Sequence, residues 1–252
     1  MKTMKNFALL VLMLFSSAIF AQQKTDEKPT IIFVHGIWAD GSSWNHQITA
    51  LQAQGYPVMS VQNQVASLAG DVEATKKAIS LAKGKVILVG HSWGGIVITQ
   101  AGNDPKVAGL VYIAALVPDL GESISSLSAT GKPNDLGKYL VPVDGTLYLS
   151  EEGVKNAFAQ DLSLAQQKFI YATQTPGAQT VFGEKSGEPA WKTKPSWYVV
   201  AKSDRGIDPD LERRMAKRAK SKITEIEGSH VVMLSHPKEV LAVIEDAIKS
   251  LK

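Results

Sequence analysis

The 252-residue sequence contains no cysteine, which excludes disulfide staples, a thiolate nucleophile and a lipid-bearing cysteine together. Stability must come from a packed core. Charge of one sign is also lacking: 27 Lys and Arg against 24 Asp and Glu leave a formal net charge of +3. The main basic cluster, Arg213, Arg214, Lys217, Arg218, Lys220 and Lys222, alternates with apolar positions at helical spacing and describes a solvated helix face. A nucleic-acid partner would need a broader basic stripe with aromatic or groove-reading elements, and neither is present. There is no His-Glu-x-x-His or other metal-ligand spacing and no Gly-x-x-x-x-Gly-Lys phosphate loop, so neither a metal nor a cofactor is expected. What remains, 44% apolar and 20% charged residues, is the composition of a globular protein. A chain of this length commonly forms a single α/β domain.

The first residues, Met1-Lys2-Thr3-Met4-Lys5, are basic and precede an apolar run from Phe7 to Phe20 that ends beside the small residue Ala21. That order describes a secretory signal peptide over 1–21, cleaved after Ala21, with a polar linker over 22–29. The run is short for a spanning helix, so no stable membrane insertion is expected after its removal, and the mature chain is expected to be periplasmic or secreted.

From residue 30 onward, apolar β-branched runs alternate with helical spacing. Strands are expected at Thr30 to Val34, Tyr56 to Val61, Lys85 to Val89, Val107 to Leu116, Ser196 to Val200 and Ile223 to Ile226. Helices are expected at about Gln47 to Gln54, Asp71 to Ala82, Ile96 to Ala101, Pro209 to Arg218 and Pro237 to Leu251. Parallel strands need a crossover and the helices provide it, so the fold class is α/β, a doubly wound, mostly parallel sheet. The rhythm breaks from about Pro118 to Pro195, rich in Gly, Ser and Pro, with short helices expected around Glu152 to Asp161 and Leu164 to Thr173. This stretch is assigned as a cap over the site.

Gly90-His91-Ser92-Trp93-Gly94 follows an apolar strand and opens a helix, the context that a Gly-x-Ser-x-Gly nucleophile turn requires. Serine at such a turn needs a histidine to take its proton and a carboxylate to orient that histidine, in the chain order serine, acid, histidine. Of five histidines, His35 and His91 precede the serine and His46 starts a helix. His230 sits in the loop after the Ile223 to Ile226 strand, whereas His236 precedes Pro237 at the start of the last helix. His230 is therefore the expected base. Asp204 follows the Ser196 to Val200 strand and is the expected acid; Asp208, near a helix start where aspartate caps well, is the runner-up and Asp119 the third. An oxyanion formed at Ser92 needs two backbone donors, expected from Trp93 and from Ile37 in the loop after the first strand. Trp38 and Trp191 are expected to line an apolar substrate pocket, and His35 to make structural hydrogen bonds.

These residues resemble the α/β-hydrolase superfamily from about Thr30 to the C-terminus. Val34-His35-Gly36-Ile37-Trp38, Gly90-His91-Ser92-Trp93-Gly94-Gly95 and the His230 to Pro237 segment, His-x-x-Met-Leu-Ser-x-Pro, resemble the branch of plant methylesterases and hydroxynitrile lyases. The resemblance implies Ser92, Asp204 and His230 as the triad, with Ile37 and Trp93 as the oxyanion hole. It implies a small-molecule ester as substrate. The lyases of this branch usually carry a lysine directly after the catalytic histidine; Val231 stands there, which disfavours cyanohydrin chemistry. Lactone or C–C hydrolysis, cofactor-free haloperoxidation and binding without turnover use the same frame, and a substrate panel with Ser92→Ala separates them.

Overall fold

The structure is a computed structural model that describes residues 27–251; the expected signal peptide and most of the linker lie outside these residues. The first strand, β1 (Thr30–Val34), is the apolar run Thr-Ile-Ile-Phe-Val, and all five of its residues are buried. A strand buried on both faces belongs at the centre of a parallel sheet with helices on either side. Around it, α1 (Asn45–Ala53), β2 (Val58–Val61), α2 (Leu68–Leu81), β3 (Val86–His91), α3 (Trp93–Ala101) and β4 (Val107–Ile113) follow in turn. Ser67 starts α2 by accepting a hydrogen bond from Gly70 N–H, the usual way of satisfying a free amide at a helix N-terminus.

The cap follows β4. It contains α4 (Ile124–Ser128), a small antiparallel sheet of β5 (Leu140–Val143), β6 (Thr146–Leu149) and β7 (Gly177–Ala178), and the helices α5 (Glu151–Gly153) and α6 (Leu164–Thr173). The core resumes with β8 (Ser196–Ala201), α7 (Pro209–Arg218), β9 (Lys222–Ile226), α8 (Val232–Ser235) and α9 (Pro237–Ser250). The main sheet has six strands in the order β2-β1-β3-β4-β8-β9, and every neighbouring pair is parallel. Among the described residues no helix is long and apolar enough to cross a membrane.

The doubly wound sheet agrees with the alternation in the sequence, and α6 and α7 have the expected bounds. The cap differs. The helix expected over 152–161 is only α5, running into a π-turn over Val154–Phe158, and Ala159 leaves helical geometry at φ −135°, ψ 39°. The small antiparallel sheet was not expected, although its hairpin turns on Asp144-Gly145 with φ of +46° and +77°. An Asp-Gly pair between alternating apolar residues is the local signature of that turn. Backbone bonds tie cap to core: Trp38 N–H donates to Thr175 O at 2.8 Å, Thr175 N–H to Ala39 O at 3.3 Å and Ala178 N–H to Val65 O at 2.9 Å.

Candidate active site

β3 ends at His91 and α3 begins at Trp93, leaving Ser92 alone in the turn with φ 52° and ψ −118°. For a residue with a Cβ this backbone is strained by on the order of 1–3 kcal/mol, so surrounding packing must hold it. Two glycines make that packing possible. A Cβ on Gly94 would collide with the Val34 carbonyl oxygen, and a Cβ on Gly36 would fall 2.6 Å from Ser92 Cβ. The loop after β1 therefore crosses directly against the serine.

The loops after β8 and β9 bring the other two groups to the same point. His230 Nε2 lies 2.9 Å from Ser92 Oγ, and His230 Nδ1 lies 2.5 Å from Asp204 Oδ2. Asp204 Oδ1 accepts from Gly206 N–H at 2.6 Å and Ile207 N–H at 2.9 Å. With a carboxylate facing Nδ1, the ring carries its proton there, and Nε2 is free to accept from the Ser92 hydroxyl. Asp204 and His230 are both buried.

The remaining histidines have other work. His91 Nε2–H donates to His230 O at 2.9 Å; complete burial, with His230 close by, holds its imidazole well below the usual histidine range and therefore neutral. His35 Nδ1–H donates to Gly36 O, and its Nε2 accepts from Asn63 N–H at 3.0 Å. Burial lowers its pKa too, so it serves as a neutral brace for the loop after β1. His236 pairs with Ser235 Oγ.

Ser92 and His230 open onto a cavity of about 240 Å³ lined by Ile37, Trp38, Leu116, Leu136 and Phe182, with Ser125, Ser128 and Asn134 as its polar groups. Among the described residues no lysine, arginine or carboxylate lines it. Val231 is buried and does not line this cavity. Ile37 and Trp93 border the cavity, and among the described residues neither backbone N–H has a hydrogen-bond partner. Trp38 forms part of the wall, its indole N–H donating to Leu147 O at 2.9 Å. Trp191 departs from expectation: its indole N–H donates to Pro118 O at 2.9 Å, and Lys192 and Arg218 lie over its ring, away from the cavity. Asp208 caps α7 and accepts from Lys132 N–H, and Asp119 pairs with Lys192, so neither faces His230.

Two buried carboxyl groups behind the site were not singled out from the sequence. Asp71 on α2 accepts from the Trp93 indole N–H at 2.8 Å, and burial raises its pKa against the pull of that bond. Glu212 on α7 accepts from Ala201 N–H at 3.1 Å. Burial, reinforced by the charge of Asp204, pushes Glu212 well above the usual carboxylate range. Both left a signal: Asp71 shares the helix face of Thr75 and Ile79, and Glu212 that of Ala216, all buried. An acidic residue on the core face of a helix is rare unless it is paired or neutral.

A parallel sheet carrying a serine at the β3–α3 turn, with histidine and aspartate on the loops after β9 and β8, defines an enzyme of the α/β-hydrolase class. Residues 31–243 match the Alpha/beta hydrolase family, and the chain belongs to it. It is 24% identical to an alpha/beta hydrolase of Aspergillus novofumigatus, over 87% of this chain and 96% of the relative. It is also 24% identical to Methylesterase 4 of Arabidopsis thaliana, again over 87% of this chain and 96% of that one. Among solved structures, a pyrethroid hydrolase from Sphingobium faniae superposes with a TM-score of 0.76 at 22% identity, covering 88% of this chain and 98% of that chain. That likeness establishes the common fold.

Proposed function

We propose that the protein hydrolyses uncharged carboxylic esters of small apolar groups through an acyl-enzyme on Ser92. His230 Nε2 takes the hydroxyl proton as Ser92 Oγ bonds to the ester carbonyl carbon. The carbonyl oxygen becomes an oxyanion that accepts from the Ile37 and Trp93 amides. When the tetrahedral intermediate collapses, the ester C–O bond breaks and the leaving alkoxide takes the proton from His230. Water then gives a proton to His230, attacks the acyl carbon and releases the acid, and Ser92 regains its proton. Asp204 accepts from His230 Nδ1–H and holds the imidazole in the tautomer that accepts from serine.

The observation that carries this reading is the 2.9 Å approach of His230 Nε2 to Ser92 Oγ at the mouth of a cavity without a charged wall. Such a cavity leaves a charged substrate group without a partner, a penalty that favours neutral esters. The relatives named for methylester and pyrethroid hydrolysis are consistent with this substrate class. The basic residues before the apolar run from Phe7 to Phe20, with Ala21 after it, support export, with Gln22 as the first residue of the mature chain.

The test uses the exported chain, its N-terminus sequenced, assayed on short-chain and aryl p-nitrophenyl esters beside Ser92→Ala. Turnover that the variant loses by about 10³-fold or more supports the nucleophile. Equal turnover by the two proteins, or none by the folded wild type, overturns the reading, and a retained Met1 overturns the export.

A further inference from the structure

Asp71 is only 2% exposed and lies two elements away from the serine, yet its two carboxylate oxygens face two different parts of the site. Oδ2 accepts from the indole N–H of Trp93, the residue that follows the nucleophile, at 2.8 Å. Oδ1 accepts from Val65 N–H at 3.2 Å. The Trp93 ring is fully buried, so without Asp71 its indole N–H would be left unsatisfied inside the core.

Val65 leads to the second part. It is a β-branched residue held at φ +52°, a conformation such residues avoid unless surrounding structure imposes it. Asp71 fixes its N–H, and Ala178 N–H from the cap fixes its carbonyl at 2.9 Å. Its side chain and that of Ile37 both border the space beside Gly177: a Cβ there would fall 3.3 Å from Val65 Cγ1 and 2.9 Å from Ile37 Cγ2. Hydrogen bonds therefore lead from one carboxylate directly to Trp93 and to Val65, whose side chain meets that of Ile37 at the close approach beside Gly177. Trp93 and Ile37 are the two residues read as oxyanion donors, and both line the cavity.

We propose that Asp71 is a positioning residue for both oxyanion donors, setting the Trp93 amide through the indole and the Ile37 amide through Val65 and Gly177. The inference rests on the esterase reading above. A carboxylate suits this place because both partners are N–H donors and need two acceptor atoms. An asparagine offers one acceptor, and its amide NH₂ would face one of the donors. The role differs from plain structural support in what it predicts, since donors aimed at an oxyanion matter in the transition state and not in the bound ester.

The experiment compares Asp71→Asn and Trp93→Phe with the wild-type enzyme on one p-nitrophenyl ester, with Ser92→Ala as the blank. Trp93→Phe removes the indole N–H and keeps the backbone donor, so it tests the same link if Asp71→Asn does not fold. We expect kcat to fall about 10- to 100-fold with KM within about twofold, less than the loss for deleting an oxyanion donor outright. An alkyl boronic acid, which forms the tetrahedral adduct, should weaken in parallel, while a neutral product alcohol should bind as before. In the double variant the two losses should not multiply, because both substitutions act on the Asp71–Trp93 contact. Unchanged kcat in both variants, or a loss confined to KM, overturns the role of Asp71. A wild type without Ser92-dependent turnover instead defeats the esterase reading and this inference with it.

Discussion

All six residues of β3 are buried, whereas three of the four residues of β5 are exposed. The two strands mark two regions with different demands. In the main sheet both faces are covered, so side chains, glycines and backbone must fit simultaneously, and the reacting atoms stand at the ends of strands that have little room to move. In the cap, a small antiparallel sheet and short helices lie over the site, with Val141, Val143, Tyr148, Leu164, Phe169 and Tyr171 facing outward. The Ser92, His230 and Asp204 cluster is anchored in the first region, and the cavity before it is walled in part by the second.

The sharpest way to break that division is Gly94→Ala. Its methyl would be driven against the Val34 carbonyl oxygen, and relief requires moving either β1 or the Ser92 turn. We expect loss of ester turnover by about 10³-fold or more, or loss of the folded state; activity and thermal melting together check it, and near-normal turnover would show that the core tolerates what its geometry forbids. A smaller effect is expected from Phe182→Ala on the cap side of the cavity. It should alter the ratio of kcat/KM between long and short acyl esters by about 10-fold, while Ser92 reacts with a small fluorophosphonate at the wild-type rate. An equal loss on every ester would mean that the cap takes part in the chemistry.

The smallest effect concerns stability. Burial raises the folded-state pKa of Glu212 above its unfolded value, so the native chain keeps a proton that the unfolded chain gives up. Stability is therefore greatest below the unfolded carboxylate pKa and is lost as pH rises toward the folded value. Glu212→Gln removes this dependence. The melting temperature of the variant relative to the wild type should climb by a few degrees as pH rises from below about 4 to neutrality, and a constant difference would show that Glu212 is ionised in the fold.

The main sheet was legible because β1, β3 and β4 are apolar runs with clear ends, and their order with the helices leaves few parallel arrangements. Ser92, His230 and Asp204 were legible for a related reason: each follows a strand, and strand ends are where sequence reasoning places loops. The cap was not legible in the same way. Its strands are short, Pro142 interrupts the first of them, and only Asp144-Gly145 marked the hairpin. Trp191 went astray because an indole fits equally well in a pocket and under two cationic side chains, and composition does not separate the two. Asp71 gave a fainter signal, one acid on the buried face of α2, whose meaning depends on a tryptophan from another element.

The contact between Gly36 and Ser92 joins the ends of two adjacent strands, β1 and β3. His230 and Asp204 follow another adjacent pair, β9 and β8. Neighbouring strands in any sheet are spaced about 4.8 Å apart by their hydrogen bonds. The candidate site thus takes its unit of length from the backbone ladder. Insertions in the connecting loops leave that ruler unchanged, which is how one spacing can serve many different caps.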